Sequence, residues 1–166
     1  DSAGPNRDRS AGSNSAPGAW NNAGSPMRGP TLRLVSINDV YALDNLPRVR
    51  SLVQHHATVD PADAFVSVIA GDFVAPSLLS SLDQGVGMVD CLNAVPITHA
   101  IFGNHEADIP FAALVARVRQ FRGTWLNSNL GGFPVALPAH QVLTVGGAGT
   151  RVVRVGLVGV LTAAAN

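Results

Sequence analysis

Ala64-Phe65-Val66-Ser67-Val68-Ile69-Ala70 runs without a break into Gly71-Asp72. The run is apolar on both faces and rich in β-branched side chains, which suits an internal strand of a parallel sheet, and the Gly-Asp pair ends it. Working outward, Leu32 to Ile37 reads as an earlier strand that opens into the polar loop Asn38-Asp39-Val40-Tyr41. Thr98 to Phe102 reads as a later strand, ending in Gly103-Asn104-His105-Glu106. Helical periodicity fills the gaps. The spacing predicts a helix over Leu46 to His56, with Asp44 or Asn45 as cap, Pro47 in the first turn and an apolar stripe of Leu46, Val49, Leu52 and Val53. Further helices are expected over Ser77 to Leu82, Val86 to Val95, and Phe111 to Phe121 behind Pro110. Thr124 to Leu126 is a short fourth strand, and His140 to Val145 with Arg151 to Leu161 form a hairpin around Gly146-Gly147-Ala148-Gly149. Strand, helix, strand in repetition is an α/β layout.

Composition sets the outer bounds. Hydrophobic residues make up 46% of the 166-residue chain and charged residues 13%, enough for one domain with a real core. Lys plus Arg equal Asp plus Glu at 11 each, so no basic field exists for nucleic acid or an anionic membrane surface. Cys91 is the only cysteine, which excludes an internal disulfide and a cysteine-based zinc cluster; in Met88-Val89-Asp90-Cys91-Leu92 it reads as a buried, inert thiol. No apolar run reaches the roughly 20 residues of a membrane helix, and no secretory signal is visible, so no compartment is assigned. Residues 1–30 are dominated by Ser, Gly, Asn, Ala and Pro and read as a disordered tail, leaving 31–166 as the folded part.

In open α/β sheets, ligands gather at the carboxyl ends of the strands. Three successive strands here reach that edge with a metal-competent group: Asp39 after the first, Asp72 after the second, Asn104 and His105 after the third. Each alone is an ordinary turn former or cap. Together they converge on one cleft, where oxygen donors and an imidazole suit Zn, Mn, Fe or Mg, and Asp72 is placed to bridge two cations.

The strings Asn38-Asp39, Ala70-Gly71-Asp72-Phe73-Val74-Ala75-Pro76-Ser77 and Phe102-Gly103-Asn104-His105-Glu106-Ala107-Asp108 resemble the first three blocks of the calcineurin-like metallophosphoesterases, and the 5'-nucleotidase branch in particular. The resemblance runs from about Leu32 to Leu161. It implies a layered α/β sandwich, a sheet flanked by helices, present here only in part. It implies two divalent metal ions, Asp39 on the first, Asp72 bridging and Asn104 on the second. His105 would contact the phosphate with Asp108 orienting its ring, and Glu106 would be structural. The implied substrate is a small phosphate ester, a nucleoside 5'-monophosphate first, with a cyclic nucleotide or nucleotide sugar as the alternative.

Two departures accompany the resemblance. The first block of most members reads Asp-x-His, and here Tyr41 takes the histidine's place, a poor ligand that makes it a variant of the first site. The family's three later histidines are not found in this sequence, so the missing C-terminal part is expected to supply them, and a non-catalytic, weakly metal-binding chain is the third reading. His55-His56 reads as a solvated helix end, His99 as structural or surface, Trp125 as core, and Asn127 and Asn129 as possible borders of the pocket. The Gly146 to Gly149 run lacks the lysine and helix of a phosphate loop, and no Gly-x-Gly-x-x-Gly follows the first strand, which sets aside a dinucleotide fold.

Overall fold

The structure, a computed structural model, describes residues 28–59 and 62–162. Most of the stretch read as a tail, residues 1–27, lies outside them. Four parallel strands, β1 (Leu32–Ile37), β2 (Ala64–Ala70), β3 (His99–Ile101) and β4 (Thr124–Leu126), lie side by side in that order. β2 is internal, as its two-faced apolar pattern requires: Ile69 and Ser67 are fully buried, and Val66 nearly so.

Helices α1 (Leu46–Thr58), α2 (Leu78–Asp83), α3 (Val86–Ala94) and α4 (Phe111–Gln120) fill the crossovers, and α3 touches each of the others. Ser77 starts α2 with a reciprocal cap, its hydroxyl accepting from Ser80 N at 2.9 Å while Ser80 Oγ accepts from Ser77 N at 2.8 Å. Asp83 then ends α2 and starts α3, its carboxylate accepting from Gly85 N and Gly87 N. The antiparallel hairpin of β5 (His140–Val145) and β6 (Val153–Val158) forms as expected and meets the sheet where His99 Nε2 lies 2.7 Å from Gln141 Oε1.

The core lies between sheet and helices: Leu46, Val53, Ile69, Val89, Leu92, Ala100 and Val118 surround a tilted aromatic group in which Trp125 stacks on Phe102 at 4.5 Å and on Phe73 at 5.5 Å. Leu92 is wholly buried, and Leu92→Ala would cost about 2–5 kcal/mol through lost contacts and the cavity left behind.

Local differences from the sequence reading have physical causes. Leu52 is 47% exposed: the helix buries a narrower stripe, Leu46 and Val53, with Val49 half-buried. Asn45 occupies the cap position of α1 without capping it, its amide oxygen accepting from Arg48 instead. Cys91 is half-buried rather than buried, beside a surface cleft of about 340 Å³. Within the stretch read as tail, Arg28 forms an ion pair with Asp63 at 2.8 Å and bridges to Thr150, so the chain is tied to the domain before Thr31.

Candidate functional site

The carboxyl ends of β1, β2 and β3 adjoin, and parallel pairing continues past them: Asp39 N donates to Gly71 O at 3.4 Å and Val40 N to Asp72 O at 3.0 Å. The loops bearing Asp39 and Asp72 are thereby held together by main chain. Asp39 and Asp72 both adopt positive φ, 53° and 57°. This conformation costs a residue with a β-carbon free energy, and aspartate tolerates it better than most. Two strained aspartates at neighbouring strand ends are the sort of backbone that surrounding contacts must hold in place.

Glu106 supplies those contacts. Its carboxylate, 1% exposed, accepts from Asp72 N at 3.0 Å, Phe73 N at 2.9 Å, Val74 N at 3.2 Å and Gly103 N at 2.5 Å. A buried carboxylate is costly unless its lone pairs are filled, and four N–H donors fill them. It thus binds the end of β2 to the end of β3. Asp72 Oδ1 in turn accepts from His105 N at 2.9 Å. Glycine also lets the two loops approach: a β-carbon on Gly71 would lie 2.7 Å from Gly103 Cα.

His105 opens a short 3-10 turn, His105–Asp108, which the sequence reading left unassigned. The turn returns Asp108 beneath the ring, with Oδ2 2.7 Å from His105 Nδ1. That hydrogen bond first, and the negative charges of Asp108, Asp72 and Glu106 after it, raise the imidazole's pKa above its usual value. A carboxylate can only accept, so Nδ1 carries the hydrogen in this contact.

Tyr41 is a participant in the cleft. Its hydroxyl donates to Asp39 Oδ1 at 2.9 Å and its ring meets His105 edge-on at 6.0 Å. Desolvation, then the Asp39 bond and the charges of Asp39, Asp72 and Glu106, push the phenol up to about 12, so it stays neutral at physiological pH. Asn38 Nδ2 donates to the other oxygen of Asp39. Beside Tyr41, a groove of about 530 Å³ opens between Ala42–Asp44 and Ser77–Asp83, walled by Leu43, Leu78, Leu82 and Met88.

For divalent cations the residues fit in kind: oxygen donors on Asp39, Asp72 and Asn104 lie at adjoining strand ends, and the Asn104 side chain is exposed. They do not make a full set. Among the described residues no three His, Cys, Asp or Glu side chains gather closely enough to hold a metal ion. The other polar residues singled out have structural partners. Asn127 bonds both ways with Leu130, and Asn129 both ways with Leu161, so each amide ties loop backbone together. His99 is buried between Thr98 and Gln141, His55 and His56 meet edge-on near the end of α1, and His140 is exposed in the hairpin.

An all-parallel sheet in sequential order, with helical crossovers and polar groups at its carboxyl edge, makes this an α/β scaffold. The fold is that of the calcineurin-like phosphoesterases and 5'-nucleotidases, and corresponds to the N-terminal portion of those chains. The chain is similar to a 5'-nucleotidase precursor from Thermus thermophilus, with TM-score 0.62 and 22% identity over 80% of this chain and 29% of that one. It is similar to the NAD nucleotidase of Haemophilus influenzae, with TM-score 0.68 and 16% identity over 80% of this chain and 30% of the other. A calcineurin-like phosphoesterase from Bacillus subtilis matches with TM-score 0.61 and 17% identity, over 81% of this chain and 49% of that protein. The chain therefore spans less than half the length of these structural relatives. No family model and no curated protein sequence matches it.

Proposed function

We propose that this chain carries the N-terminal half of a metal-dependent phosphoric monoester hydrolase site, with nucleoside 5'-monophosphates as the substrate class. The observation that carries the reading is the strand-end assembly: the loops of Asp39 and Asp72 are joined by main-chain hydrogen bonds, and Asp72 is bonded to the His105 backbone beside the His105–Asp108 pair. Asp39 would hold one metal, Asp72 would bridge and Asn104 would hold the second. A bound metal pair supplies an activated water and charge neutralisation at the phosphorus.

The chain's own residues do the rest. His105, with Nδ1 engaged by Asp108, presents Nε2 to the phosphoryl oxygens, and its raised pKa favours the cationic form that complements developing negative charge. The groove beside Tyr41 has the volume of a small-molecule site and is where the ester's organic group would lie. The 5'-nucleotidase and NAD nucleotidase among the structural relatives favour a nucleotide over other esters. Fold likeness by itself does not select the ester.

A second reading, a chain that binds metal weakly and does no catalysis, draws on the oxygens of Asp39, both of which accept hydrogen bonds from Tyr41 and Asn38. Manganese binding to the purified chain, followed by electron paramagnetic resonance, separates the two. Binding that Asp72→Asn abolishes supports the hydrolase reading, whereas wild-type binding no stronger than that of Asp72→Asn favours the second. Turnover of aryl phosphate is expected to be little or none with this chain alone, and to appear when a segment bearing the Gly-His-x-His ligands is supplied.

A further inference from the structure

Three strand-end loops can serve one site only if something fixes their spacing, and Asp39, Asp72 and Asn104 do not do so by themselves. Asp72 follows Gly71, whose φ is +85°, and itself sits at +57°; these successive left-handed residues turn the N–H groups of Asp72, Phe73 and Val74 toward one point. Gly103 N, from the loop after β3, is aimed at the same point. Such a concave set of amides is an anion-binding nest, and here the anion is internal. Oε1 takes Phe73 N and Val74 N, while Oε2 takes Asp72 N and Gly103 N. Both oxygens are therefore fully used, and the one shared by Asp72 and Gly103 spans the two loops.

We propose that Glu106 is a positioning residue for the site described above: its carboxylate clamps the Asp72 loop to the loop of Asn104 and His105, and so sets the distance between the groups that share a cation. The inference rests on the hydrolase reading for its purpose, but the clamp itself is a property of the main chain. Without the carboxylate, four converging N–H dipoles repel one another, Asp72 relaxes out of its left-handed conformation, and the Asp72 Oδ1 to His105 N bond opens. Glutamine is no substitute, because its amide nitrogen must face two N–H donors whichever way it turns. Aspartate is one methylene short of spanning both loops. A cavity of about 270 Å³ between Phe102, Ile109, Phe111 and Phe133 reaches Glu106, which gives a small anion a route to the nest.

The test uses Glu106→Ala and Glu106→Gln in the whole chain, with folding checked by circular dichroism. Two readouts follow: hydrogen exchange of the His105 amide, which needs no metal, and manganese affinity. Faster His105 exchange and weaker manganese binding are expected in folded variants, each by about tenfold, the size of one charge-assisted hydrogen bond. Sodium formate should restore part of both in Glu106→Ala and neither in Glu106→Gln. A folded variant whose His105 exchange and manganese affinity stay within about twofold of wild type overturns the proposal, because a purely structural carboxylate lowers stability without moving either. Should neither variant fold, the scalar coupling across the hydrogen bonds from Glu106 Cδ to the Asp72 and Gly103 amides decides in the unaltered chain, and its absence overturns the clamp. If wild type binds no manganese, the hydrolase reading fails while the amide exchange still judges Glu106.

Discussion

A β-carbon placed on Gly103 would stand 2.2 Å from Asp72 Oδ1, so the aspartate reaches the His105 backbone only because residue 103 has no side chain. Gly103→Ala forces either the carboxylate or the backbone to move. Strain of this kind costs about 1–3 kcal/mol, measurable by denaturant unfolding, and manganese affinity should fall with it.

Tyr41 occupies an Asp39 oxygen that a cation would need. Tyr41→His exchanges a neutral phenol for an imidazole nitrogen and should tighten manganese or zinc binding on the order of tenfold, the scale on which single changes around a metal ligand act. Isothermal titration of wild type and variant checks this, and unchanged affinity would count against Asp39 as a ligand.

The chain has a single tyrosine, so ultraviolet titration reads Tyr41 directly. Phenolate should appear near pH 12 rather than 10.0, with circular dichroism confirming that the fold persists. Asp39→Asn removes the nearest charge and should move the midpoint back toward the ordinary value.

Asp63 is held below the usual carboxylate range, first by the Thr31 backbone N–H, then by the Thr31 hydroxyl and Arg28. A depressed native value means that the contribution to stability is present above the ordinary aspartate range and is lost as pH falls through the native one. Asp63→Asn should therefore destabilise the protein at neutral pH, and the gap in unfolding midpoint should close in acid. A gap that stays constant to low pH would contradict the assignment.

The regular elements were legible because their signals are local. The bounds of β1, β2 and β4 follow the β-branched runs residue for residue, and the hairpin follows its glycines. The placement of Asp39, Asp72 and Asn104 at one edge was legible for a related reason, since strand ends in a parallel sheet adjoin. The polar bonds that arrange them were not. Glu106 lies 34 positions from Asp72, and His99 lies 42 from Gln141; no periodicity carries such pairings. The acidic residue after His105 was the one visible trace, and a structural role was as far as it could be read. Asp63 gave no signal, because its partners Arg28 and Thr31 fell in or beside a stretch whose composition suggested no order. Leu52 and Cys91 show the opposite error, apolar spacing that the packed helices leave partly to solvent.

The Arg28 to Thr150 bridge puts the hairpin turn at the amino edge of the sheet, since Arg28 also grips Asp63 just ahead of β2. A full strand length lies between that turn and the polar cleft. A fluorophore or affinity peptide spliced into residues 147–149, where Gly147 and Gly149 have open space around them, would make a remote handle, one that immobilises or tracks the molecule while leaving its far edge free for solutes.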